Sequence, residues 1–304
     1  KKPSKCVKSS SPSSVPLSSS ELERCWRDLS LALKEEEVQH INVRGVAQKI
    51  FSSSVLSGSP DAAALEVLSV SLLQLSQWST LVSLLSSHSA LVGQNAQLAF
   101  HYAYALYRDK QHTKALDELR KRGTANLTEG EQHLLAQANY RAGHYQAAAK
   151  VYNTHFAADE DVELQANMLA ALVSADLLDE AKAYIKKLGI MTAPPSFELA
   201  YNAACCFIEC GDYTSALTVL RKAQTLCRDM LEEDGLTDAE IENELSVMYV
   251  QEGFILQSLS KTAQADGTEN ERALAIYTKI LTQHPTDPNV LSVASNNVIT
   301  LRTG

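Results

Sequence analysis

The feature that most limits what this chain can fold into is a small residue that recurs at a nearly constant interval. GHYQAAAKVY (143–152) resembles GDYTSALTVL (211–220), each being a turn followed by a helix with alanine five residues after the turn glycine. Aligning the chain on that position gives Ala47, Leu81, Ala115, Ala148, Ala181 and Ala216, spaced 34, 34, 33, 33 and 35 residues apart. A seventh anchor, Ala273, follows after 57 residues. That gap is read as one interval plus an insertion around Glu232-Glu233-Asp234-Gly235 and the polar run from Thr262 to Asn270. A unit this short cannot bury its apolar face alone, so successive units must stack into an array. Composition agrees with helices: Gly (12) and Pro (8) are sparse over 304 residues, while 45% of the chain is hydrophobic.

An interval near 34 is that of the tetratricopeptide helix-turn-helix repeat. The expected fold is therefore all-α, a tetratricopeptide-repeat superhelical solenoid over residues 21–304. Small residues on the first helix (A) of each repeat let the second (B) cross closely, and larger side chains on B pack into the next repeat. Ala103, Ala115 and Leu119, then Ala136, Ala148 and Tyr152, then Ala204, Ala216, Leu220 and Ala223 fit these positions, as do Tyr277 and the terminating Pro285. Residues 1–20, with four lysines in the first eight positions and then mostly Ser and Pro, are expected to form a disordered tail. Helix caps are expected at Ser20 with Glu23, Ser59 before Pro60, Thr128 with Glu131, Thr237 with Glu240, and Asp287 before Pro288. The missing initial Met and an ending inside a helical pattern suggest a fragment.

Catalytic constellations are not legible. Neither GxGxxG, GxxxxGK[ST], HExxH nor GxSxG occurs, and the histidines at 40, 88, 101, 112, 133, 144, 155 and 284 have no metal-ligand spacing. Cys205, Cys206 and Cys210 crowd one helix, yet Cys205 points about 100° away from the face shared by the other two, and no CxxC exists. They read as small buried hydrophobes. Neither an enzyme nor a cofactor nor a metal site is expected. No apolar run approaches the roughly 18 residues of a bilayer span, so membrane insertion is not expected either.

A helical-repeat array offers a groove lined by its A helices, and such grooves take peptides or helices. The groove positions implied by the anchors are Phe100, Tyr104 and Tyr107; His133, Gln137 and Tyr140; Tyr201, Cys205 and Ile208; and Glu66, Val70 and Leu73. The aromatic set from Phe100 to Tyr140 is the expected partner anchor, since aromatic rings give a large contact area with a polar tip. For any one of these residues, packing within its own repeat is the competing reading. Arg108 and Arg141 close their A helices and are expected to meet acidic groups on the ligand, whereas lysines that would clamp a terminal carboxylate are absent from these positions. The net charge of −9, more negative still without the lysine tail, disfavours direct RNA binding.

Specific stretches go further. FELAYNAACCFIECGDYTSALTVLRKAQTLCRDML (197–231), GFILQSLSK (253–261) and RALAIYTKILTQHPTDPNVLSVASNNVITL (272–301) resemble the tetratricopeptide, seventy-two-kilodalton subunit family of the eukaryotic signal recognition particle, with YNAAC and PTDPNVLSVASNN the most specific parts. The likeness runs over residues 130–301, including ELQANMLAAL (163–172), and fades before about residue 95. It implies a non-catalytic scaffold that captures the C-terminal region of the sixty-eight-kilodalton partner subunit. It also implies particle RNA binding only through a lysine-rich region absent from this chain, and a role in targeting nascent proteins to the endoplasmic reticulum. The implied location is the cytoplasm, with the nucleolus during assembly and the endoplasmic reticulum surface as further stations. A tetratricopeptide adaptor or co-chaperone for peptide tails in another complex is the alternative.

Overall fold

A computed structural model describes residues 15–303, apart from 36, 124–125, 157–159, 263 and 266. Every regular element among them is a helix, and the chain divides into two compact units at Gly143. The first unit contains α1 (Ser19–Ala32), α2 (His40–Leu56), α3 (Ala62–Gln74), α4 (Trp78–Ser87), the short α5 (Ser89–Gln94), α6 (Ala96–Arg108), α7 (His112–Lys121) and α8 (Glu129–Arg141). The second contains α9 (Tyr145–His155), α10 (Val162–Ser174), α11 (Leu178–Lys187), α12 (Phe197–Glu209), α13 (Tyr213–Glu233), α14 (Asp238–Leu259), α15 (Glu269–Gln283) and α16 (Pro288–Thr303). Within each unit successive helices pack on one another, and the A helices also touch along their row: α3 on α6 and α6 on α8 in the first unit, α10 on α12 in the second.

All seven anchors are fully buried, and each lies on a B helix: Ala47 on α2, Leu81 on α4, Ala115 on α7, Ala148 on α9, Ala181 on α11, Ala216 on α13 and Ala273 on α15. Ala103, Ala136 and Ala204 are buried on their A helices, and Leu119, Tyr152, Leu220, Ala223 and Tyr277 are buried on B helices. This is the close-crossing geometry that the repeat spacing predicts.

The turn between A and B is set by backbone rather than by residue type. Five residues before the anchor the chain is left-handed at Ser76 (φ 53°), Lys110 (φ 61°), Gly143 (φ 80°), Asp176 (φ 60°) and Gly211 (φ 73°). That conformation lets an amide beyond the A helix reach back to a carbonyl of its last turn, as in Gln77 N to Leu72 O (2.9 Å), Gln111 N to Leu106 O (2.8 Å), Leu177 N to Leu172 O (3.0 Å) and Asp212 N to Phe207 O (2.9 Å). Only two of these five turns carry the glycine that the pattern GHY/GDY displays.

Three expectations need correction, and one helix is additional. The first cap is Ser18 with Glu21, not Ser20 with Glu23, so α1 starts inside the span expected to be a tail; the first 14 residues of that tail lie outside the described residues. Asp61, not Ser59, caps α3, because its carboxylate reaches the Ala64 amide at 3.0 Å. Helix α5 interrupts a stretch in which the repeat pattern places no helix of its own. The wide interval before Ala273 is filled mainly by helix, since α13 and α14 run for 21 and 22 residues and meet at a turn through Gly235. The caps at Thr128 and Thr237 form with Glu131 and Glu240 as expected, and the Asp287 carboxylate accepts from the Asn289 amide at the start of α16.

Candidate protein-binding faces

In the first unit the A-helix positions of α6 converge on an aromatic stack. Phe100 and Tyr104, one turn apart, have ring centroids 6.4 Å apart, and Tyr104 meets the edge of Trp78, the first residue of α4, at 6.1 Å. Arg108, one turn further on, lays its guanidinium 4.4 Å from the Trp78 ring centroid and donates from Nη1 to the Tyr104 hydroxyl at 2.8 Å. Arginine over indole is a favourable cation–π geometry. Arg108 is exposed and has no carboxylate partner among the described residues. Its charge is thus held in place, ringed by aromatic surface, and open to a ligand.

The other expected residues are placed less uniformly. Tyr107 turns toward its own B helix, with its ring 5.5 Å from His112. Burial, then the positive charges of Arg141 and Lys110, lowers the pKa of His112, which brings Arg141 into the same neighbourhood. On α8, Gln137 and His133 hydrogen-bond to each other at 3.1 Å, and Tyr140 is half-buried. Glu66 is engaged internally by the side-chain amide of Asn95, and Leu73 packs on the core, while Val70 is exposed. Internal packing therefore claims Tyr107, Glu66 and Leu73 in part, while Phe100, Tyr104 and Arg108 form one surface. Trp78 is the member that repeat arithmetic misses: it sits on a B helix, outside the A-helix positions to which the groove spacing points.

The second unit carries a cleft of about 670 Å³ between its A helices α10, α12 and α14. Val162, Phe197, Tyr201 and Val247 supply apolar surface, and Glu163, Glu198 and Glu244 supply carboxylates. No lysine, arginine or histidine lines it. Of the three expected residues on α12, Tyr201 alone faces this cleft. Cys205 accepts from the Gln251 side-chain amide at 3.3 Å, and Ile208 is half-buried.

Cys206 is fully buried, and its thiol is pushed up to about 12 by burial and then by the neighbouring Cys210. Burial likewise raises the pKa of Cys205 and Cys227. These are neutral, poorly nucleophilic thiols used as small packing groups. No helix among the described residues is long and apolar enough to cross a membrane.

Stacked pairs of antiparallel helices on a 34-residue period, with small residues at each crossing, define an all-α helical-repeat protein of the tetratricopeptide type. No family model matches the chain. Sequence comparison finds it 32% identical over 246 residues to signal recognition particle subunit SRP72 of dog, covering 79% of this chain and 34% of that protein. The human SRP72 gives the same figures, and the Caenorhabditis elegans SRP72 is 31% identical over 232 residues, covering 75% of this chain and 34% of its own length. The chain is similar to the SRP72 family over about three quarters of its own length and spans about a third of the length of the curated relatives it matches.

Proposed function

We infer that this chain is a non-catalytic protein-binding scaffold of the signal recognition particle. In this reading it captures the C-terminal region of the sixty-eight-kilodalton partner subunit on the A-helix face of the first unit and supports co-translational targeting at the endoplasmic reticulum from the cytoplasm. The observation that carries the reading is the stack of Phe100, Tyr104, Trp78 and Arg108, an aromatic surface edged by a guanidinium that no carboxylate among the described residues engages. Such a surface anchors an apolar side chain and an acidic group of a partner segment. His133, Gln137, Tyr140 and Arg141 extend it along α8. The net charge of −9 makes direct capture of particle RNA by this chain unfavourable, since phosphate would be repelled.

Calorimetric titration with the C-terminal region of the partner subunit tests this, with particle RNA as a parallel ligand. The expected result is tight protein binding and negligible RNA binding, with Tyr104→Ala and Tyr140→Ala each weakening the protein complex by more than about 1 kcal/mol. Unchanged affinity in folded variants would remove the partner from this face.

A further inference from the structure

We propose that the cleft between α10, α12 and α14 is a second docking site, specific for a basic segment of a partner protein in which apolar side chains alternate with Lys or Arg. This site is separate from the aromatic face of the first unit. Its walls leave apolar surface open to solvent: Val162 is 36% and Val247 44% exposed, and both lie on the cleft. Val247 stands in the middle of α14, and with Val162, Phe197 and Tyr201 it gives the cleft an apolar lining rather than a single exposed side chain. Around it stand Glu163, Glu198 and Glu244, all exposed, and none has an ion-pair partner among the described residues.

Helix energetics account for two of these carboxylates but not the third. Glu163 and Glu198 lie in the first turns of α10 and α12, where negative charge is favoured by the helix dipole. Glu244 is the seventh residue of α14 and gains nothing of that kind. Nor is it isolated: Glu198 and Glu244, from different helices, line the same cleft. Three carboxylates and no cationic side chain line the cleft, so a bound Lys or Arg would be attracted there and negative charge repelled. An acidic segment or nucleic acid would meet the same repulsion, so the cleft selects for positive charge as well as for apolar side chains.

The test uses the full 304-residue chain and two fluorescent 18-residue amphipathic peptides, one of leucine and lysine, the other with glutamate replacing lysine, read by anisotropy at physiological salt. The lysine peptide is expected to bind and the glutamate peptide not. Glu198→Lys with Glu244→Lys, and separately Val247→Asp, should each weaken the lysine peptide by at least about tenfold. Glu180→Lys with Glu233→Lys, the same charge change away from the cleft, should weaken it by less than about threefold. Tyr104→Ala should leave it unchanged. Equal losses in cleft and control reversals would overturn the proposal in favour of unspecific attraction to an acidic protein. Retained binding in the Val247→Asp variant would overturn it as well, and tighter binding after removal of residues 1–14 would reassign the cleft to the chain's own lysine-rich start.

Discussion

Gly253 on α14 and Tyr277 on α15 meet at a helix crossing that leaves no room for a β-carbon. A Cβ placed on Gly253 would lie 2.6 Å from both Cε1 and Cζ of Tyr277 and 3.0 Å from its hydroxyl. The ring cannot swing aside cheaply. Tyr277 is fully buried, its hydroxyl accepts from the Asn297 side-chain amide at 3.0 Å, and burial pushes its pKa up to about 12. Gly253→Ala gains about 1 kcal/mol of helix propensity in α14. Against this stands overpacking of a buried aromatic, which costs about 1–3 kcal/mol, toward the upper end here because ring atoms rather than a flexible tip take the clash. The expected net loss is about 1–2 kcal/mol. Hydrogen exchange localises it: amides of α14, α15 and α16 should lose about tenfold in protection, while those of α1 to α8 should not change. In a Tyr277→Leu background the clash is gone, and Gly253→Ala should then stabilise by up to about 1 kcal/mol. If Gly253→Ala raised protection in the otherwise unaltered chain, the crossing would be looser than described and the reasoning wrong.

Further predictions follow from other packing features. Glu242 is partly buried, which alone would raise its pKa, but hydrogen bonds from Lys279, Gln283 and Arg228 outweigh burial and hold the carboxyl at about 2. A depressed pKa stabilises the fold above the unfolded value near 4.5, and the benefit is lost as pH falls from there toward 2. Glu242→Gln should therefore cost about 1–2 kcal/mol at pH 7, and denaturation midpoints of the two proteins should draw together as the pH falls from 4.5 to 2; a gap that does not narrow over that range would refute the linkage. Lys110→Gly, at a left-handed turn where a side chain is strained, should stabilise the first unit by about 0.5–1 kcal/mol in urea denaturation, while Gly211→Ala should destabilise the second by a similar amount. Arg122 pairs with Glu131, which is only 2% exposed, so Arg122→Ala should cost about 3 kcal/mol by leaving that carboxylate unpaired, measurable as a lowered thermal midpoint.

The repeat register is legible because it is written in steric terms that a sequence displays directly. Where a B helix crosses an A helix closely, only a small side chain fits, so six of the seven anchors are alanine, and Leu81 marks the one crossing the chain fills differently. The turns are half legible. Gly143 and Gly211 advertise the left-handed residue, but Ser76, Lys110 and Asp176 adopt the same conformation without glycine, because packing of the flanking helices over-determines the backbone. The long interval before Ala273 reads as insertion because polar residues on the outer face of an extended helix look like loop in a linear pattern.

The candidate sites divide along the same line. Helical spacing places Phe100, Tyr104 and Arg108 on successive turns of α6, so this part of the surface is written in the residue spacing itself. Trp78 is not, since its approach depends on how α4 lies against α6. The cleft of the second unit escapes a linear reading for the same reason: Glu163, Glu198 and Glu244 are scattered over 81 residues and come together only when three A helices align. The result is two candidate faces of opposite chemistry on one acidic chain, a guanidinium set in aromatic rings on the first unit and carboxylates around exposed valines on the second. A single partner chemistry cannot satisfy both, so charge-reversing substitutions at Arg108 and at Glu244 are expected to affect different ligands, and a ligand weakened equally by both would contradict this division.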